Sequence, residues 1–207
     1  MCIRDSPRVI LIGGSSHAGK SSLARQLAAR PGWTSASTDH LGRHPGRPWR
    51  PAGETVPAHV AAYYLELSTE AQIADVRRYY ETLWPAIEAL VRRHAEDATQ
   101  PRLILEGSAI WPERAAALNV PGVAAVWLTA PPVLFEQRIL AESDHAGADA
   151  RGQVLIEAFL ARTLAFDAGL REAAARLGAP LLSAGEAEAT APALAAMRQV
   201  PWASDGL

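Results

Sequence analysis

Lysine is almost missing from this chain, with one residue against nineteen arginines in 207. Surface cations are therefore supplied by arginine, and the one position that keeps an ammonium stands apart. Cysteine is as scarce. The lone Cys2 cannot form an internal disulfide, and no His/Cys spacing suggests a zinc site. No stretch approaches the ~18 apolar residues of a membrane span. The apolar run nearest the start, Val9–Ile12, is too short for a signal-peptide core. Together these absences lead us to expect a cytoplasmic protein. A dominant charge is also lacking: the net value of −2 exerts no global pull toward nucleic acid or membrane, so neither is expected as a partner. Composition carries no information on oligomeric state.

What is present is a chain 49% hydrophobic, enough for one substantial core with a small appended lid. The head Met1-Cys-Ile-Arg-Asp-Ser6 fits no structural element and resembles translated adaptor sequence. A single domain over 7–207 is expected.

The one lysine lies in Gly14-Ser15-Ser16-His17-Ala18-Gly19-Lys20-Ser21, which matches G-x-x-x-x-G-K-[ST], the phosphate-binding P-loop. A flexible ammonium can follow a phosphoryl group as a planar guanidinium cannot. The context agrees with the motif. Val9-Ile10-Leu11-Ile12 reads as a strand buried on both faces and ends at Gly13-Gly14. Ser21 to Ala29 then reads as a helix, with Leu23 and Leu27 on one side and Pro31-Gly32 as its stop. Backbone N–H groups from Gly14 to Ser22 would cradle phosphates at the helix N-terminus. Lys20 would reach the β and γ oxygens, and the Ser21 hydroxyl would ligate Mg²⁺.

Four further strands are expected at Thr34–Thr38, Leu103–Leu105, Ala124–Leu128 and Pro180–Ser183, each separated from the next by helical pattern. That alternation is the signature of an α/β fold whose parallel sheet has helices on both faces. The gap from 39 to 102 is long. It opens with the Pro/Gly/Arg-rich loop His40–Pro57 and turns helical, with Thr69-x-x-Gln72 as a capping box and a kink expected at Pro85. Another helix is expected over Val154–Leu177, closed by Gly178, and a terminal one over Glu186–Met197.

Several residues could carry chemistry. Asp39, at the tip of the second strand, could accept the proton of an acceptor hydroxyl, hold the Mg²⁺ water shell, or simply turn the chain. Glu106 ends an apolar strand, where an acid anchors Mg²⁺ or orients the acceptor. Arg43, Arg47 and Arg50 lie in a proline-braced loop with no acidic residue between Asp39 and Glu54. As a guanidinium fork they would bind an anionic acceptor; as a solvated loop they would bind nothing. Arg138, Arg151 and Arg162 are candidates to swing over a triphosphate.

These motifs resemble the small-molecule kinase branch of the P-loop nucleotide hydrolases, which includes adenylate, shikimate and gluconate kinases. Thr38-Asp-His-Leu-Gly-Arg43 and Leu105-Glu-Gly107 are similar to segments of 2-phosphoglycerate kinase-like proteins. The resemblance implies a three-layer sandwich with strand order 2-3-1-4-5, an acceptor-binding insertion over about 40–100, and an arginine lid over about 140–153. The chain departs from the usual lid. Where a second arginine would follow Arg138 by three or four residues stand Ala141 and Glu142. The expected activity is Mg-assisted transfer of a phosphoryl group from ATP to a small, anionic metabolite. A nucleotide-driven ATPase or switch acting on a protein, and a kinase of a larger acceptor, are the alternatives. ATP is the default because the guanine-specifying N-K-x-D cannot occur where Lys20 is the only lysine.

Overall fold

Residues 7–51 and 54–187 are described by the structure, a computed structural model. The apolar runs become five parallel strands: β1 (Val9–Gly14), β2 (Trp33–Ser37), β3 (Arg102–Glu106), β4 (Val123–Thr129) and β5 (Leu181–Ser183). They lie in the order β2-β3-β1-β4-β5, as expected for this fold class. Central strands buried on both faces have no polar side to alternate with, which is why they read as continuous apolar runs. In β1, Val9 and Leu11 enter one core while Ile10 and Ile12 enter the other.

The helices divide between those two cores. α1 (Lys20–Ala28), α2 (Ala58–Glu66) and α5 (Pro132–Ser143) pack on one face, and α3 (Thr69–Glu96) and α4 (Pro112–Ala117) on the other. The 28-residue α6 (Ala150–Leu177) serves both. Leu155, Ile156 and Phe159 pack with the α1 side, whereas Phe166, Leu170 and Ala173 pack with the α3 side. Between these halves α6 touches the C-terminal edge of the sheet. The Thr163 carbonyl accepts from Ser15 Oγ at 3.1 Å, and the Asp167 carboxylate accepts from Thr129 Oγ1 at 2.7 Å. A short α7 (Ala184–Ala187) follows β5.

Local signals are shifted by one to four residues at several ends. The cap of α3 is Ser68, whose hydroxyl accepts from Ala71 N, rather than Thr69, which is the first helical residue. Gln72 leaves the expected box because its side chain is buried and donates to the Leu67 carbonyl at 2.9 Å. Pro85 lies within α3, which continues through it. α6 starts at Ala150 rather than Val154 because the Asp149 side chain caps Gly152 N, and it ends at Gly178 in the left-handed region (φ 60°). The head Met1–Ser6 and all but the first residues of the expected terminal helix Glu186–Met197 lie outside the described residues. No helix among the described residues is long and apolar enough to cross a membrane.

Candidate active site

The loop between β1 and α1 runs along the C-terminal edge of the sheet. Gly14 closes the strand where the chain touches β4: a Cβ there would stand 2.6 Å from the Leu128 carbonyl oxygen. Gly19 adopts φ 99° and ψ 9°, the left-handed turn that starts α1, and no side chain caps the helix there. A helix start without a side-chain cap suits an anion. Lys20 is buried, 8% exposed, and its Nζ donates to the Ser15 carbonyl at 2.7 Å. Burial lowers the pKa of this ammonium; Glu106 and Asp39 oppose the shift, and Arg47 adds to it.

Glu106, at the end of β3, is also 8% exposed. Its Oε1 accepts from Ser21 Oγ at 3.1 Å. A hydroxyl and a carboxylate oxygen meeting beside this loop form an oxygen donor pair of the kind Mg²⁺ prefers. Among the described residues no cluster of three or more His, Cys, Asp or Glu could hold a metal by itself. A divalent ion would therefore depend on phosphate oxygens to complete its shell, as Mg²⁺ commonly does.

Two clefts meet at this loop. The larger, about 390 Å³, is bounded by the loop and by Ser22, Gln26, Arg138, Glu142 and Ala184. The smaller, about 150 Å³, lies on the insertion side, bounded by Asp39, Arg43, His44, Tyr80, Ser108 and Arg162. His17, Lys20, Ser21 and Arg47 border both.

No protein-family model and no curated protein matches the chain. Solved structures similar to it include a sugar kinase from Janibacter sp., at 16% identity and a TM-score of 0.46, covering 91% of this chain and 94% of that one. A shikimate kinase from Acinetobacter baumannii, in complex with shikimate, matches at 16% identity and 0.42, covering 93% and 94%. A gluconokinase from Sinorhizobium meliloti matches at 22% and 0.37, covering 80% and 94%. The fold itself rests on the strand order and on the geometry of the loop.

Each residue singled out in the sequence now has a place. Arg138 Nη1 donates to the His17 carbonyl at 2.8 Å, so the α5 arginine lies against the phosphate loop. Arg151 is exposed in the first turn of α6 and borders neither cleft. Asp39 lies not in β2 but in the 3₁₀ turn Thr38–His40 that follows it.

The three loop arginines do not form one fork. Arg43 is held by Asp39, with its Nε 2.9 Å and Nη2 2.8 Å from Oδ2. Arg50 Nη1 donates to the Arg47 and Trp49 carbonyls at 2.7 and 2.8 Å, so it braces its own loop and borders neither cleft. Arg47 is ion-paired with Glu142 of α5. No acid lies nearby in the loop sequence, but folding brings one from α5.

His17 also meets Glu142, its Nε2 lying 2.7 Å from Oε2, while Nδ1 lies 3.0 Å from Ser16 Oγ. Burial, then Arg47, Lys20 and Arg138, lower its pKa to about 4. The contact is therefore a hydrogen bond from a neutral ring rather than an ion pair: Nε2–H donates to Glu142, and Nδ1 accepts from Ser16.

The sequence reading gave no acceptor-side role to Arg162, His44 or Tyr80. Arg162 borders the smaller cleft with its Nε buried and without a hydrogen-bond partner, while Nη1 donates to Tyr64 Oη at 3.1 Å. His44 Nε2 lies 2.6 Å from Asp75 Oδ2, and its ring stacks on Tyr79. Burial pushes the Tyr80 phenol up to about 12, against the opposing effects of Arg162 and of a hydrogen bond with Ser108, so it stays neutral. The sequence offered Arg162 only as a triphosphate arginine; its place on the acceptor side follows from long-range packing, its His44 carbonyl contact lying 118 residues away.

Proposed function

We propose that the chain is an ATP-dependent phosphotransferase acting on a small anionic metabolite. The observation that carries this reading is the junction of two clefts at the one buried lysine, with the Ser21–Glu106 pair beside it. A hydrolase needs one cleft and a water; a transferase needs a second cleft on the far side of the transferred group.

The larger cleft would take the nucleotide, its phosphates along the loop from Gly14 to Ser22 and against Lys20 and Arg138. Ser21 and Glu106 would hold Mg²⁺, which when bound neutralises the phosphate oxygens. The smaller cleft would take the acceptor. Arg162, with a buried unpartnered Nε, and Arg43 supply positive charge for a carboxylate or phosphate there. Asp39, at the border of that cleft, would accept the proton of the acceptor hydroxyl while its oxygen bonds to the γ-phosphorus. The bond from that phosphorus to the β,γ-bridging oxygen breaks, and ADP leaves with the charge.

The test is a coupled ADP-release screen over phosphorylated and carboxylated hydroxy compounds, with an acceptor-free control. Acceptor-dependent ADP release that is abolished by Lys20→Ala, with folding retained by circular dichroism, is the expected result. Equal release without any acceptor would make the chain an ATPase.

A further inference from the structure

Four residues border both clefts: His17, Lys20 and Ser21 of the loop, and Arg47. Arg47 comes from the insertion loop, yet its guanidinium lies close enough to lower the pKa of both the Lys20 ammonium and the His17 imidazole. Its partner Glu142 occupies the stretch of α5 that follows Arg138, where the chain has no second arginine. A side chain from one side of the molecule thus supplies the cation that the other side lacks.

We propose that Arg47 is a catalytic residue that contacts the γ-phosphoryl group from the acceptor side, and that Glu142 is its positioning residue. The inference rests on the phosphotransferase reading above. It moves Arg47 from the acceptor-binding set, where the sequence alone had placed it, to the transferring group.

The geometry supports the assignment in three ways. Arg47 is the one loop arginine that borders the larger cleft; Arg43 borders only the smaller, and Arg50 neither. Its guanidinium has two neighbours that constrain it. Glu142 holds the head, and the Trp49 ring lies 5.6 Å from its guanidinium carbon. Glu142 is in turn fixed by the neutral His17 ring, itself inside the phosphate loop. A long side chain so held loses little further freedom when an oxyanion arrives, and a planar fork can bond a carboxylate and a phosphoryl oxygen together. As the bridging bond breaks, charge spreads over the phosphoryl oxygens, and a guanidinium beside them stabilises that charge without exchanging a proton.

The experiment compares Mg·ATP and Mg·ADP binding by calorimetry, with no acceptor and therefore no need to know its identity. A contact to the γ-phosphoryl affects ATP alone. Arg47→Ala should weaken ATP roughly tenfold while leaving ADP within about twofold, the size of one charge-assisted hydrogen bond. Arg47→Lys should recover part of the loss. Glu142→Gln should reduce the preference for ATP over ADP in the wild-type background and change nothing when Arg47 is already Ala.

If Arg47→Ala weakens ATP and ADP equally, or neither, Arg47 does not meet the γ-phosphoryl and the inference fails. An equal effect of Glu142→Gln in both backgrounds would mean that it acts through its own charge and not by holding Arg47. If wild-type protein binds neither nucleotide, the phosphotransferase reading itself falls, a result distinct from both.

Discussion

A histidine within a loop of the G-x-x-x-x-G-K-[ST] pattern can become a cation beside Lys20, and the fold keeps it neutral. Its side chain is 5% exposed and surrounded by Arg47, Lys20 and Arg138, with Glu142 in contact. The sign of the consequence follows from linkage. The folded value of about 4 lies below the ordinary 6.5, so the unfolded chain takes up its proton first. His17 therefore does not limit stability above pH 6.5. As pH falls from 6.5 toward 4, the folded state is progressively disfavoured, by a few kcal/mol at most. His17 has φ 64°, and asparagine tolerates that conformation while removing the titration. We predict that urea unfolding of His17→Asn is less sensitive to pH between 7 and 4.5 than that of wild type. Identical slopes would place the acid sensitivity elsewhere. The sequence reading identified His17 only as part of the motif. Its neutrality comes from burial and from Lys20, Arg47 and Arg138, the two arginines being distant in sequence, and could not be read from the loop.

Elements were legible where a local rule decides them, and displaced where a long-range contact does. The loop and α1 follow from their own glycines and leucines. The start of α3 does not, because burial of Gln72 moves the cap back to Ser68. Strand order came from resemblance alone, since no residue pattern states which parallel strands adjoin. One element boundary is fixed by a residue that carried no signal at all. Arg8, just before β1, donates to one carbonyl in the last turn of α3, His94 at 3.0 Å, and to two just beyond the helix, Asp97 at 2.9 Å and Gln100 at 2.8 Å. It thereby serves as a distant cap for the last turn of a 28-residue helix and ties it to the sheet. Arg8→Ala should cost about 1–3 kcal/mol, allowing for partial exposure, and lower the midpoint of thermal unfolding by roughly 2–12 °C. Arg8→Lys should recover little, because an ammonium cannot reproduce the fork. ATP binding should be unchanged, since Arg8 borders neither cleft. A stable Arg8→Ala protein would mean that water replaces the guanidinium at no cost.

At the scale of the whole molecule, charge is distributed unevenly in a way that composition conceals. The net charge of −2 gave no reason to expect anion binding. Yet Lys20, Arg43, Arg47, Arg138 and Arg162 all border the two joined clefts, against Asp39, Glu106 and Glu142. Low-dielectric walls focus such a field on the cleft, so a polyanion should be attracted locally while the surface as a whole repels it. α6 gives the arrangement its rigidity. It carries Arg162 into the smaller cleft, ties to the phosphate loop through Ser15 and packs in both cores. Filling the clefts should therefore stabilise the whole domain rather than one loop. We predict that inorganic tripolyphosphate, with Mg²⁺ and without any nucleoside, raises the unfolding midpoint. At a hundredfold excess over its dissociation constant the gain is about 2.7 kcal/mol, or roughly 5–10 °C for a chain of this size. Raising the ionic strength from about 0.05 to 0.5 M should remove most of the gain, because the Debye length then shrinks to a few ångströms. Lys20→Ala should lose the gain even at low salt. A shift that survives both high salt and Lys20→Ala would place the polyanion outside these clefts, on an arginine-rich surface instead.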